Sequence, residues 1–311
     1  MNQKTVSSWA EADKINQPLL ITQSTRGVTT AGAPYMSLVV QDKTGSMEGK
    51  LWDVKEDQAA LAEPGKIVTI VGEVLKYRNS LQLRIHNVLP VAGDFDPTAF
   101  VNVSKYSKEF LKGKIDAAID SISDDIYRGI SRMCIDRYEK EFYEYPAASK
   151  NHHDFLGGLA THVVAMIDLA DEICKRYEIL NRDLLIAGIL THDLGKIIEL
   201  SGPVLTEYTM QGKLLGHISM MQSIVYELAL TQNWQDSEQI TCLRHMILSH
   251  HGQYEYGSPV LPMVAEAEVL HLIDNLDARL NMFEKMFEVT EVGQFSGRIF
   301  SLENRSFYRS K

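Results

Sequence analysis

Between Gly93 and Pro97, in the string Gly-Asp-Phe-Asp-Pro, the hydrophobic period of this chain changes, which limits it to folds built from two dissimilar parts. Before the change, apolar residues recur at every second position, the spacing that places them on one face of a strand. Tyr35–Asp42 is a strand by this rule, followed by a Lys43-Thr44-Gly45 turn and a second strand from Ser46 to Trp52. Lys66–Val74 and Ser80–Ile85 read as two more, with Asn79-Ser80 as a turn, and Pro18–Thr25 makes five. Beyond the change, Phe110, Ile115, Ala118, Ile119, Ile122, Ile126, Ile130, Met133, Cys134 and Tyr138 follow the spacing of a helix face. With 311 residues, each part has enough chain to bury its own core.

Five short strands separated by turns suit an OB-type barrel. The expected organisation is therefore multidomain. It comprises an all-β OB-type barrel over residues 1–95, a helical linker region over 96–145, an all-α helical bundle over 146–290 and a tail over 291–311. An OB barrel grips single strands by stacking bases on exposed aromatic rings beside basic groups. Tyr35, Lys50, Trp52, Lys76, Tyr77, Arg78 and Arg84 are the candidates for such contacts, and Lys76-Tyr77-Arg78 stands out because it flanks a turn. The competing reading puts the aromatics in the barrel core or at its ends.

Bulk properties exclude several other classes. A formal charge of −10 argues against indiscriminate coating of DNA. Residues 1–95 hold ten Lys/Arg and ten Asp/Glu, so the acidic surplus lies wholly in the second part and a local groove must do any strand binding. No run of eighteen apolar residues is present, so no membrane span is expected. The first residues lack an apolar signal core, and Cys134, Cys174 and Cys242 form no CxxC pair, which points to a reducing cytoplasm. No GxSxG elbow, Walker loop or Rossmann glycine triplet occurs.

The second part instead carries seven ligand-type residues in order: His162, His192-Asp193, His217, His250-His251 and Asp274. Imidazoles and carboxylates suit borderline divalent cations such as Mn²⁺, Fe²⁺ or Co²⁺. The set is too large for one ion that keeps a water, and about right for two ions bridged by a carboxylate. Asp274 lies in an apolar stretch, where a carboxylate needs a partner or a cation. Lys196, close behind Asp193, is a candidate to neutralise charge on a reacting phosphoryl group. His152 and His153 lead into the first of these helices and are candidate substrate contacts, as are Arg298 and Arg305 in the aromatic-basic tail.

The order H…HD…H…HH…D resembles the HD phosphohydrolase superfamily over residues 150–280, so the bundle is expected to be an HD domain. Together with the barrel motifs VQDKTG and KLWD, the strings YPAASKNHHDFLGGLATHVVAMIDLA, HDLGKIIELSGPV, LLGHIS, LSHHGQYEYGSP, EAEVLHLIDNLDAR and RIFSLENRSFY resemble the YhaM family of bacterial 3′–5′ exoribonucleases. The resemblance spans nearly the whole chain and is weakest in the first twenty residues and from Asp94 to Glu144. It implies metal-dependent removal of nucleotides from the 3′ end of single-stranded RNA, with Mn²⁺ or Co²⁺ as metals and single-stranded DNA as a second candidate strand. It also implies His162, His192, Asp193 and Asp274 around one ion, with Asp193 bridging to a second held by His217, His250 and His251. The tail could line the strand path, pack on the domain or contact a second copy in a homo-oligomer. Two alternatives compete: a phosphodiesterase of cyclic dinucleotides or small nucleotides, and a non-catalytic nucleic-acid-binding regulator. The HHExxDGxGYP continuation expected of the first is absent, because His250-His251 runs into Gly-Gln-Tyr-Glu-Tyr-Gly-Ser-Pro.

Overall fold

The computed structural model describes residues 4–78, 80–91, 95, 97–148 and 153–311. These form two compact units, divided between Val103 and Ser104.

The first unit is a closed barrel of five strands, β1 (Lys14–Val28), β2 (Pro34–Asp42), β3 (Gly45–Trp52), β4 (Ile67–Tyr77) and β5 (Ser80–Pro90), in the order β1-β2-β3-β5-β4. All neighbours are antiparallel except β3 and β5, whose parallel pairing lets the sheet close. Period-two alternation builds the interior from Met36, Leu38, Val40, Leu51, Val68, Ile70, Val74, Leu83 and Ile85. β1 is longer than its hydrophobic signal, because it pairs with β4 along Lys14–Leu20 and with β2 along Leu20–Val28. A register shift between Ile21 and Gln23 marks that change of partner, and the consecutive Leu19, Leu20 and Ile21 are all buried there. A short helix, α1 (Glu56–Leu61), joins β3 to β4. The strand-based reading misses it, since six residues are too few to display a helical period.

The second unit is helical. It contains α2 (Lys108–Asp120), α3 (Asp125–Arg137), α4 (Glu139–Phe142), α5 (Gly158–Arg176), α6 (Arg182–Thr191), α7 (Lys196–Glu199), α8 (Met210–Thr231), α9 (Glu238–Ser249) and α10 (Ala265–Glu288). Side-chain caps start several of them: Ser107 on α2, Asp124 on α3, Asn181 on α6, Thr209 on α8 and Ser237 on α9. The segment expected to be a helical linker is part of this core. Leu111, Ile115, Ile119, Tyr127, Ile130, Cys134 and Phe142 pack with residues of α5, α6, α8, α9 and α10. At the centre stands α6, whose residues 184–191 are all buried; a helix apolar all round is one enclosed by its neighbours. The backbone leaving α6, with His192 and Asp193, therefore starts deep inside the unit.

The tail folds back on α10. Bridges pair Phe295 with Tyr308 and Ile299 with Arg305, and Phe307 meets Phe283 edge to face at 4.6 Å. Arg309 donates to the carbonyl of Phe287, in the last turn of α10, and to that of Thr290 just beyond it. Among the described residues, no helix is long and apolar enough to cross a membrane.

Candidate metal centre

Two helix ends supply matched histidines. His192 and His250 occupy the C-caps of α6 and α9, and each ring donates Nδ1–H to a carbonyl three residues back, Ile189 at 2.9 Å and Ile247 at 2.8 Å. This satisfies a helix-end carbonyl and fixes the tautomer, so each Nε2 keeps its lone pair and faces away from its own helix. His251 follows the same logic with the Tyr256 carbonyl at 2.7 Å.

Carboxylates orient the other two. His162 lies one turn into α5, fully buried, with Nδ1 2.6 Å from Asp277 Oδ2 and Nε2 3.2 Å from Asp274 Oδ1. Both aspartates project from α10, three residues apart and so on one face. His217 opens the second segment of α8, beyond a break at Gly216 (φ 70°, ψ 153°). Its backbone N–H donates to Glu199 Oε1, and its Nδ1 lies 3.1 Å from both Glu199 oxygens. Gly195 lets these segments approach, since a β-carbon there would stand 2.4 Å from the His217 carbonyl oxygen.

Asp193 stands between the groups. Its Oδ2 is 3.5 Å from His192 Nε2, and its Oδ1 is 3.5 Å from His217 Nε2 and 3.7 Å from His250 Nε2. Ligand atoms of His162, His192 and Asp193 lie within 4.8 Å of one another, and so do those of His217, His250 and His251. Thus the structure brings together all seven residues singled out in the sequence. It also brings in Lys196, whose Nζ is 2.6 Å from Asp193 Oδ2 and whose side chain is 13% exposed. The Nε2 atoms of His192, His217 and His250, and Oδ1 of Asp193, are buried and make no hydrogen bond. Four such atoms facing one small volume are costly unless something else is bound there, and the donor set of imidazole and carboxylate fits a divalent cation.

The electrostatics agree. Burial pushes the pKa of His192 and His250 down, which keeps both rings neutral, the form that binds metal. Burial alone would raise Asp193, but the opposite charge beside it, Lys196 foremost, outweighs that and holds the carboxylate ionised. For His162 burial opposes protonation, yet hydrogen bonds to Asp274 and Asp277 prevail and push its pKa up to about 10.

Two participants escape a reading of the sequence. Asp277 has a signal, the i,i+3 spacing to Asp274, whereas Glu199 has none, since its role depends on the α7–α8 approach. Asp277 also accounts for His153, a candidate substrate contact in the sequence. That ring is 5% exposed, with Nε2 2.7 Å from Asp277 Oδ2, while its backbone N–H donates to Asn281. His152 lies outside the described residues. Arg298 is exposed, and Arg305 packs over Phe307 and pairs with Glu303.

In the barrel unit, Tyr35 and Trp52 are cross-strand partners with ring centroids 5.1 Å apart, and Trp52 is 48% exposed. Lys50 reaches over the Tyr35 ring and is in register with Arg84 on β5, so these four residues share the outward face. Tyr77 is exposed at the end of β4, with the Arg78 guanidinium 5.3 Å from its ring. Lys76 alternates to the opposite side of the strand from Tyr77, and Arg84 pairs with Glu73 at 3.7 Å.

Comparison with known proteins matches residues 159–279 to the HD domain family. The 3′–5′ exoribonuclease YhaM of Geobacillus sp. (strain WCH70) is 44% identical over 308 residues, covering 98% of this chain and 95% of that protein. Its counterpart from Bacillus subtilis (strain 168) is also 44% identical, over 96% of this chain and 95% of that protein. Among solved structures, the second OB-fold domain of replication protein A from Methanococcus maripaludis matches 30% of this chain at 18% identity and a TM-score of 0.25. With this identity sustained over nearly the full length of both curated relatives, the chain belongs to the YhaM family of 3′–5′ exoribonucleases.

Proposed function

We propose that this chain is a metal-dependent 3′–5′ exoribonuclease that hydrolyses single-stranded RNA at a dinuclear centre, with the barrel holding the strand. The observation that carries the reading is the position of Asp193, one oxygen beside each group of imidazoles. His162, His192, Asp193 and Asp274 would hold one cation, and Asp193, His217, His250 and His251 the other. The donor set contains no thiolate, which favours Mn²⁺ or Co²⁺, with Fe²⁺ next. When bound, such a pair supplies the charge that makes a water nucleophilic near neutral pH and steadies the leaving oxygen.

The chain's own groups do the rest. Asp277, Glu199 and the carbonyls of Ile189, Ile247 and Tyr256 lock every imidazole with Nε2 toward the centre before substrate arrives. Among the described residues, Lys196 is the one ammonium paired with Asp193, and it would offset charge gathering on the phosphoryl oxygens. Tyr35, Lys50, Trp52 and Arg84 present the ring-and-cation surface that a flexible strand needs.

The test supplies purified protein and Mn²⁺ with a 5′-labelled single-stranded RNA, the same sequence as DNA, and a cyclic dinucleotide. A ladder shortening from the 3′ end, with mononucleotides released, is expected for RNA. Turnover of the cyclic dinucleotide alone would favour the small-nucleotide phosphodiesterase, and binding without cleavage would favour the regulator.

A further inference from the structure

The segment after the His250-His251 pair carries two aromatic rings for which the metal centre has no use. Tyr254 and Tyr256 are 61% and 63% exposed, on a one-turn 3-10 helix spanning Tyr254–Tyr256. Among the described residues, neither ring stacks on another aromatic or on a cation. Exposure of this kind usually goes with a mobile loop, but this turn is fastened at every side. Gly257 (φ 94°) closes it by donating to the Tyr254 carbonyl at 3.0 Å, and Ser258, 3% exposed, donates to Gln253. Gly252 (φ 77°) is pressed on the His271 ring of α10, where a β-carbon would stand 2.4 Å away. Most directly, the Tyr256 carbonyl accepts from His251 Nδ1 at 2.7 Å. The backbone that carries the tyrosines is therefore bonded to the far side of an imidazole whose other nitrogen belongs to the centre. Tyr177 and Phe300 are comparably exposed, at 58% and 90%, but neither lies on a segment tied to a candidate ligand.

Resting on the exonuclease reading above, we infer that the Tyr254–Tyr256 turn is the seat of the 3′-terminal nucleobase, held by stacking while its 5′ phosphate is at the metals. An enzyme that removes one nucleotide at a time must place the last phosphate, and not the one before it, at the reacting position. An aromatic surface on the turn bonded to His251 would set that register. Stacking also accepts all four bases, because each has a π-face, so it suits degradation that must not stall at a particular sequence. Placement beside a ligand makes the terminal subsite a property of the helical unit, separate from the barrel's grip on the body of the strand.

The test compares wild type with Tyr254→Ala, Tyr256→Ala, the double variant and the corresponding Phe variants. For wild type, release of mononucleotides from a short RNA is measured first; if there is none, the exonuclease reading itself fails and the inference falls with it. Given release, the Ala variants should raise KM by roughly five- to a hundredfold, the range for losing one stacked base, with smaller change in kcat. Phe should restore KM, since it keeps the ring. An RNA ending in an abasic 3′ residue should show a raised KM on the wild-type enzyme, without any substitution. With metal chelated, 2-aminopurine at the 3′ end should be quenched by wild type and not by the double Ala variant, while an internal 2-aminopurine behaves alike in both. Unchanged KM for the double Ala variant, or equal KM for abasic and intact ends, would overturn the inference.

Discussion

At the scale of single residues, the arrangement separates groups that would bind metal from groups that aim them. Asp277 aims His162, so Asp277→Asn should weaken metal binding by roughly ten- to a hundredfold, the usual effect of losing a hydrogen bond behind a ligand. Titration of Mn²⁺ into chelator-stripped protein measures this, and unchanged affinity would assign Asp277 to packing alone. Lys196 is a different case, because its amine touches Asp193 Oδ2 at 2.6 Å. Lys196→Ala should reduce kcat by roughly ten- to a thousandfold with metal content retained, as expected of one electrostatic donor. If metal content falls in parallel with kcat, the lysine acts by holding Asp193. The candidate ligands are legible in the sequence because each is chemically distinctive and their order is long. Glu199 is not, since nothing in Lys-Ile-Ile-Glu distinguishes a carboxylate facing His217 from one facing water.

Elements explain how residues so far apart in sequence come to share one volume. α6 and α9 end where histidines cap their last turn, while α10 offers two aspartates on one face, and α8 must break to turn His217 inward. That break rests on Gly216, whose φ of 70° and ψ of 153° belong to a region nearly reserved for glycine. A β-carbon at Gly216 meets no atom within 4 Å, so a substitution there is strained by the backbone rather than by crowding. Gly216→Ala should therefore cost about 1–3 kcal/mol of stability, read by denaturant unfolding, and weaken the metal site that includes His217 more than the other. Equal stability would mean that α8 tolerates a straighter course. The barrel strands are readable from alternation, whereas α1 and the full length of β1 are not. α1 is shorter than two helical turns, and β1 bends between two partners with three consecutive buried residues, which erases its period.

For the whole molecule, the change of period near residue 95 foretells two units, and the structure divides at Val103 and Ser104. The candidate ligands all lie in the helical unit, so removing residues 1–103 should raise KM for long single strands while leaving slow cleavage of a dinucleotide or a chromogenic phosphodiester. Loss of both activities in a folded truncation would make the barrel part of the reacting site. The proposed mechanism is hydrolysis by two cations joined through Asp193. Its most direct test titrates Mn²⁺ into chelator-stripped enzyme while counting bound metal and mononucleotide release from single-stranded RNA in the same samples. Release should rise only as the second ion per chain binds, and Asp193→Ala should show none. Full release at one ion per chain, with His217 and His250 uncoordinated, would contradict it.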